Sequence, residues 1–152
     1  MNKIEITIEK SRHGWNGRAY SEADKLALGN LYHDELFDRL LISFSDSSII
    51  NCTCSLTEFE DNSGLGVEMK WMSAEEQIDE AQNFYPGIVA IKKKFYPIGE
   101  CLSGSGDPYF VKFDGNQWMV YRIPHNAIVN NELEIQQIEY VCQLDFLISK
   151  LA

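Results

Sequence analysis

Apolar and polar residues alternate with a period of two in three short segments, and this pattern predicts half-buried β-strands. The segments are residues 4–8, 49–59 and 67–71. Because successive side chains of a strand point to opposite faces, each segment can bury one face and expose the other. The alternating apolar positions are Ile4, Ile6 and Ile8, then Ile50, Cys52, Cys54 and Leu56, and finally Val67, Met69 and Trp71.

A β-hairpin is predicted further along the chain. Residues 109–113 and 117–122 are aromatic-rich strand candidates on either side of the turn sequence Asp114, Gly115 and Asn116. Glycine adopts the positive φ that a tight hairpin turn requires. The preceding residues 88–98 contain three consecutive lysines at positions 92–94, which we interpret as an exposed or edge-strand run.

Apolar residues at helical spacing predict helices between and after these strands. Ser21 with Asp24 forms a capping box before residues 22–44, which we expect to fold as one or two helices with a break at Gly29 and Asn30. Ser73 opens a second capping box, and the short acidic helix that follows should end near residue 84. The predicted C-terminal helix has apolar positions at Ile135, Ile138, Val141, Cys142, Leu144, Leu147, Ile148 and Leu151.

This order of elements predicts an α+β fold in a single domain over residues 1–152. We expect a mostly antiparallel sheet, helices packed on one face of it, and a C-terminal helix. The length is sufficient for one core, and the apolar content of 45% excludes a disordered chain.

The net charge limits the classes of partner. The 152 residues include 23 acidic and 13 basic side chains, for a formal charge of -10. An acidic surface repels phosphate backbones and anionic lipids, so we expect neither a nucleic-acid partner nor a membrane partner. It attracts a basic protein, although the same charge also serves solubility alone. No apolar run has the length of a signal peptide or a membrane span, which favours a cytoplasmic protein.

Acidic residues are concentrated between residues 56 and 82. If the strand and the helix of this stretch fold side by side, they create a negative face that can steer a basic protein. The alternative is that Glu75 and Glu76 stabilise the positive start of a helix and the other acids only solubilise the chain. The acids of the stretch are Glu58, Glu60, Asp61, Glu68, Glu75, Glu76, Asp79 and Glu80.

No motif predicts a metal, a cofactor or a catalytic site. Cys52 and Cys54 form C-x-C without a second pair, so we expect buried, reduced thiols and no metal. The spacing of Gly99 and Gly104 resembles a phosphate loop but lacks the required lysine, and a third glycine does not follow Gly106 at dinucleotide-fingerprint spacing. The three histidines are scattered, and no serine has a G-x-S-x-G context. The chain is therefore predicted not to be an enzyme.

The glycine-rich segment before the hairpin is interpreted as a turn that needs close backbone approach. Asp107 should bind backbone amides there, ahead of Pro108.

Several short motifs from residue 72 onwards, about half of the chain, together resemble the SUKH superfamily, which includes fungal cell-wall-synthesis regulators and many bacterial immunity proteins. The first half departs from the family pattern, since an isoleucine strand comes first and no leucine-proline pair occurs. The motifs are Tyr96-Pro97-Ile98-Gly99, Gly106-Asp107, Tyr109-Phe110, Val120-Tyr121-Arg122 with His125, and Phe146-Leu147 in the last helix.

The resemblance implies a protein-binding module that does not catalyse a reaction. In bacteria, such a module neutralises a toxin domain by covering the toxin's basic substrate site with an acidic surface. The second hypothesis is a regulatory scaffold or a small-ligand-binding domain, which predicts an apolar pocket beside residues 104–109. The predicted partner-binding residues are Glu60, Asp61, Glu75, Glu76, Asp79, Glu80, Trp15 and Tyr85, with Trp71 as a further aromatic candidate, and the family-motif loop contains Gly99, Gly106, Asp107 and Tyr109.

Overall fold

The fold combines one six-stranded antiparallel sheet with helices, and the computed structural model describes it over residues 17–44 and 47–152. The predicted α+β class and the presence of a C-terminal helix are confirmed. The helices are α1 (Glu22–Tyr32), α2 (Glu35–Phe44), α3 (Ala74–Asn83), α4 (Gly87–Ala90) and α5 (Leu144–Ser149), with 3-10 turns at Ile91–Lys93, His125–Ala127 and Ile135–Gln137. The strands are β1 (Thr53–Leu56), β2 (Val67–Trp71), β3 (Tyr96–Cys101), β4 (Tyr109–Asp114), β5 (Gln117–Arg122), β6 (Ile128–Val129), β7 (Glu132–Leu133) and β8 (Glu139–Gln143).

The large sheet has the strand order β1-β2-β3-β4-β5-β8, while β6 and β7 form a separate two-stranded ribbon. The predicted hairpin is confirmed, because Asp114 pairs with Gln117 across the β4–β5 turn. Gly115 and Asn116 occupy the two turn positions, with φ angles of 58° and 66°. Two successive positive φ values match the twist of the flanking strands and keep the hairpin in register.

One face of the sheet carries the main core. Alternate residues of β1 to β5 point into it, and α1, α2 and α5 cover it with apolar side chains. Phe37 packs against Tyr96 and Trp118, with ring centroids 4.9 Å and 6.0 Å apart, so the aromatic residues of α2 fix this helix on the sheet.

The opposite face carries a second, smaller core. Phe110 of β4 and Ile123 after β5 lie there with Ala90, Phe95 and Ala127. The short helix α4, the 3-10 turn at His125–Ala127 and the β6–β7 ribbon supply the cover. The expectation that helices pack on one face therefore describes only the main core.

The sheet curls, and other segments bond to both of its edges. Thr53 on the outer edge of β1 exchanges two backbone hydrogen bonds of 3.0 Å with Ala152. At the other edge, Val141 of β8 accepts hydrogen bonds from the backbone and side-chain nitrogens of Asn62, at 2.8 and 2.7 Å. Asn62 belongs to the loop between β1 and β2, the 57–66 loop, so this loop joins the two edges of the curled sheet.

A buried ion pair fixes the same loop. The Arg122 guanidinium on β5 donates to Asp61 Oδ2 at 3.2 Å, and the two side chains are 5% and 0% exposed. Arg122 also donates to Ser63 Oγ and to the Gly66 carbonyl at 2.8 Å each, and it lies 3.2 Å from Tyr109 Oη. Every acceptor within reach lowers the free-energy cost of burying the charge.

The helix break predicted at Gly29 and Asn30 is wrong. Helix α1 continues to Tyr32 and ends at His33, which has a φ of 50° and donates its N–H to the Gly29 carbonyl. Asp34 Oδ1 then accepts hydrogen bonds from the N–H groups of Leu36 and Phe37 and begins α2. A glycine inside a helix costs only about 1 kcal/mol, which packing can offset.

The long C-terminal helix predicted from residue 135 is also wrong, because residues 139–143 form β8 and only Leu144–Ser149 is helical. A register shift between β5 and β8 places both Val141 and Cys142 in the main core. Two consecutive buried residues at a bulge resemble helical spacing in a sequence.

One strand prediction needs correction, and the structure decides between the two alternatives for the lysine run. The strand predicted at residues 49–59 is limited to Thr53–Leu56. Residues 88–93 form α4 and a 3-10 turn, so of the two alternatives for the lysine run the exposed one is confirmed and the edge strand is not. Lys92, Lys93 and Lys94 are exposed in that turn. The predicted strand at residues 4–8 and Trp15 lie outside the described residues.

The buried ion pair generates a stability prediction. Asp61→Ala leaves the buried Arg122 without its carboxylate, so the free energy of unfolding should fall by about 3–5 kcal/mol. Glu139→Ala is the matched control, because Glu139 lies 3.7 Å from the same guanidinium but is 28% exposed. This control should lose less than about 1 kcal/mol. Urea unfolding of the purified variants measures both values, and equal losses would contradict the assignment.

Candidate protein-binding surface

The acidic stretch between residues 56 and 82 does not form one continuous face. Its first part lies in the 57–66 loop, which enters β2 at Val67, and its last part lies on α3, which follows the other end of β2 after Trp71. Five strand residues span roughly 13 Å at about 3.4 Å per residue step. The structure therefore separates the predicted face into two acidic surfaces at opposite ends of β2.

The four acids on α3 have different roles. Glu75 and Asp79 are exposed and lie one turn apart on the same side of the helix. Glu76 closes the capping box by accepting the Ser73 N–H at 3.0 Å. Glu80 is half-buried and accepts the Gly87 N–H at 3.1 Å. Only Glu75 and Asp79 therefore present carboxylates to a partner without a backbone hydrogen bond to keep.

Helix α3 is fixed by a chain of buried hydrogen bonds. Gln77 is 0% exposed, and its amide donates to the Pro97 carbonyl at 2.8 Å while it accepts from Tyr20 Oη at 2.7 Å. Tyr20 Oη in turn accepts the Trp71 Nε1–H at 2.8 Å. A buried, satisfied polar network is sensitive to displacement, so α3 presents its outer face from a fixed position.

Two exposed aromatic residues follow α3. Phe84 is 53% exposed and Tyr85 is 46% exposed, and Tyr85 Oη lies 3.4 Å from Asn131 Oδ1. Tyr85 was a predicted contact, whereas Phe84 was predicted only as the end of the helix. Trp71 is 1% exposed and belongs to the core, so it cannot serve as an interface contact. We name Glu75, Asp79, Phe84 and Tyr85 the α3 surface.

Two predicted contacts in the 57–66 loop are structural. Asp61 is buried beside Arg122, so it cannot reach a partner. Glu60 accepts the Thr57 N–H at 2.9 Å and pairs with Lys150 at 2.9 Å. The residue that sequence reasoning missed is Phe59, which is 92% exposed. In the sequence, Phe59 lies between two acids and three positions after the buried Leu56, so on an extended chain its side chain points to the face opposite Leu56.

The four family-motif residues do not form one surface. Gly99 and Tyr109 are buried, and a Cβ on Gly99 would collide with the Met69 side chain. Gly106 is exposed with a φ of 75°, and among the described residues no atom beyond its two chain neighbours lies within 4 Å of the Cβ position, so its role is conformational rather than close approach. Asp107 Oδ1 accepts the His125 N–H at 3.3 Å and lies 2.8 Å from His125 Nδ1.

Cys101 has a polar environment that the sequence did not reveal. Burial raises its pKa, but hydrogen bonds from Ser103 Oγ at 3.2 Å, Ser105 Oγ at 3.1 Å and two backbone amides outweigh it, and they lower the pKa to about 7. Burial raises the pKa of Cys54 and Cys142 to about 12. Within the described residues, no hydrogen bond links the Cys101 thiol to His125, whose Nδ1 lies beside Asp107 instead.

Neither a metal site nor a membrane span is found in the described part of the chain. Residues 17–44 and 47–152 contain no group of three His, Cys, Asp or Glu side chains placed to hold a metal ion. Over these same residues, no helix has both the length and the apolar character needed to cross a bilayer.

The Cys101 environment predicts selective thiol reactivity. At pH 7, iodoacetamide should alkylate Cys101 at least about tenfold faster than Cys54 or Cys142, because the thiolate is the nucleophile. Ser103→Ala with Ser105→Ala should move the alkylation midpoint to higher pH, whereas Ser55→Ala on β1 should not. Mass spectrometry of the labelled peptides over time measures these rates. A Cys101 midpoint unchanged by the double substitution would contradict the assigned hydrogen bonds.

Glu80 predicts a loss of stability as the pH rises. Burial raises the pKa of Glu80 from its ordinary 4.5 to about 7, against smaller opposing effects of the Gly87 amide and His125, and Asp79 adds to the increase. Between pH 4.5 and about pH 7 the folded chain keeps a proton on Glu80 that the unfolded chain has released. The contribution of Glu80 to the free energy of unfolding is therefore complete below pH 4.5 and is lost as the pH rises through about 7.

Glu80→Gln keeps an oxygen for the Gly87 N–H but cannot ionise. The free energy of unfolding of the variant should equal that of the parent protein at pH 4 and exceed it by about 1–3 kcal/mol at pH 8. Glu75→Gln, an exposed change on the same helix, is the control and should keep the pH dependence of the parent. Urea unfolding across this pH range measures the difference, and parallel curves for parent and Glu80→Gln would refute it.

Comparisons of this chain with protein-family models, with curated proteins and with solved structures find no match. The SUKH resemblance and the function that it implies therefore stay predictions.

Proposed function

We propose that the protein is a non-enzymatic binding module that neutralises a basic toxin domain, as an immunity protein of the SUKH type does. The observation that carries this proposal is the α3 surface, where two exposed carboxylates lie on a fixed helix and two exposed aromatic side chains follow its C-terminal end. Aromatic residues are enriched in protein interfaces, and carboxylates select a basic partner.

The mechanism is occlusion of the toxin's substrate site. A net charge of -10 accelerates the encounter with a basic cleft. Phe84 and Tyr85 then supply apolar area that is buried on contact, and the carboxylates of Glu75 and Asp79 replace the anionic substrate of the toxin. Since α3 is held by the Gln77 network, little conformational entropy is lost on binding.

The alternative, a regulatory or small-ligand-binding domain, needs an apolar pocket beside residues 104–109. In the described part of the chain, no atom other than those of the adjacent residues lies within 4 Å of the Cβ positions of Gly104 and Gly106, and both glycines are exposed. An open loop does not enclose a small ligand. The geometry of this loop therefore gives that alternative no support.

The test is co-purification with a toxin domain encoded beside this gene, followed by calorimetry. Glu75→Lys with Asp79→Lys should weaken the complex by about tenfold to a hundredfold, because both charges become repulsive to a basic partner. Glu76 and Glu80 are left unchanged, since each binds a backbone N–H that the fold needs. Protection of cells that express the toxin should fall in parallel.

The control carries the same charge change on other helices. Glu22→Lys with Glu35→Lys replaces two carboxylates that are 92% and 82% exposed, and it should retain affinity near that of the parent. Equal weakening by both double variants would show that net charge matters rather than the α3 surface. Full protection by Glu75→Lys with Asp79→Lys would exclude α3 as the contact, and failure to bind any neighbouring toxin domain would refute the proposed function.

A further inference from the structure

The 57–66 loop holds an exposed phenylalanine on a rigid frame. Thr57 and Glu60 bond each other through backbone and side chains, with distances of 2.9 to 3.2 Å. Asp61 is bonded to Arg122, and Asn62 is bonded to Val141. Between these fixed positions Phe59 is 92% exposed. A large apolar side chain that stays in water on an ordered loop does not add to the stability of the folded monomer.

A small groove lies beside Glu58 at the base of the loop. It has a volume of about 290 Å³, and Leu56 and Val67, which are paired across β1 and β2, contribute to its walls. The remaining wall residues are Glu58, Leu65, Gly66, Glu68 and Ser103. Leu65 is 66% exposed, and the Gly66 carbonyl is held by Arg122.

Among the described residues, no cation pairs with the two carboxylates of the groove. Two other exposed acids are paired with cations, Glu35 with Arg39 and Glu100 with Lys70. Over residues 17–44 and 47–152, neither Glu58 nor Glu68 has a cation within 4.0 Å, and the Glu68 carboxylate accepts only from Ser55 Oγ at 2.7 Å. The groove thus places two carboxylates beside the exposed Leu65 side chain.

We infer that the groove and Phe59 together are a docking site for a basic segment of a protein partner. An arginine or lysine side chain lays its aliphatic stem against Leu65 and places its cation between Glu58 and Glu68. An apolar residue next to it in the partner packs on Phe59. The fixed loop supplies this surface in advance of binding.

The negative charge of the groove favours a basic protein segment over the other classes of partner. A second copy of this chain also carries -10, so face-to-face association at Glu58 and Glu68 would be repulsive. A nucleic acid or an anionic bilayer would be repelled for the same reason. This inference goes beyond the proposed function, because it concerns a different surface from α3 and requires no toxin.

The test uses a seven-residue peptide that alternates arginine with leucine, titrated into ¹⁵N-labelled protein at low salt. Amide shifts should concentrate at residues 56–68 and 101–104, and the affinity should fall as salt is raised. The counterpart peptide with glutamate in place of arginine should not bind. Phe59→Ser should weaken binding of the basic peptide about tenfold, and Glu58→Lys with Glu68→Lys at least as much.

Matched controls remove similar groups elsewhere. Leu26→Ser replaces a residue of α1 that is 66% exposed, and Glu75→Lys with Asp79→Lys changes the α3 surface. Both should bind the peptide within about twofold of the parent. Four outcomes would each overturn the inference. They are amide shifts centred on α3, binding of the peptide by Phe59→Ser as tightly as by the parent protein, absence of peptide binding, and concentration-dependent dimers that are lost in Phe59→Ser. The α3 surface and the toxin test are unaffected by these outcomes.

Discussion

The buried Arg122 guanidinium is the constraint on which the rest of the structure depends. Removing an ion from water costs several kcal/mol, and the cost is offset only when acceptors surround the charge. Asp61, Ser63 and Gly66 supply these acceptors from the 57–66 loop, while Arg122 itself lies on β5. The loop therefore cannot move away without exposing an uncompensated charge in the core. The curl of the sheet follows, because the same loop also bonds β8 through Asn62.

Different networks of buried hydrogen bonds hold the two exposed surfaces in place. The α3 surface is placed by Gln77, which connects the helix to β3 and to Tyr20. The groove at the 57–66 loop is placed by Arg122. Strand β2 lies between them, so their separation is set by an inner strand of the sheet, roughly 13 Å long. Rigid placement reduces the ordering entropy that a partner must overcome at either surface.

The sequence was informative where one local rule decided the structure. The β4–β5 hairpin follows from the turn residues at 115 and 116, and both capping boxes follow from a serine and an acid three residues later. It misled where tertiary pairing overrides a local pattern, as in β8, where a bulge buries Val141 and Cys142 together. No local rule brings Arg122 to Asp61, because 61 residues separate them. Without that contact, Asp61 resembles any other surface acid in the sequence.

The number of acidic residues in the stretch between residues 56 and 82 is larger than the number of carboxylates that a partner can contact. Four of its eight members bind a cation or a backbone amide: Asp61 binds Arg122, Glu60 binds Lys150, Glu76 binds the Ser73 amide and Glu80 binds the Gly87 amide. The four that remain at the surface are Glu58, Glu68, Glu75 and Asp79. A charge reversal of the whole stretch would unfold the protein for reasons unrelated to binding, because it removes the partners of a buried cation and of three backbone amides. The electrostatic contribution to recognition is therefore separable from folding only when substitutions are confined to those four positions.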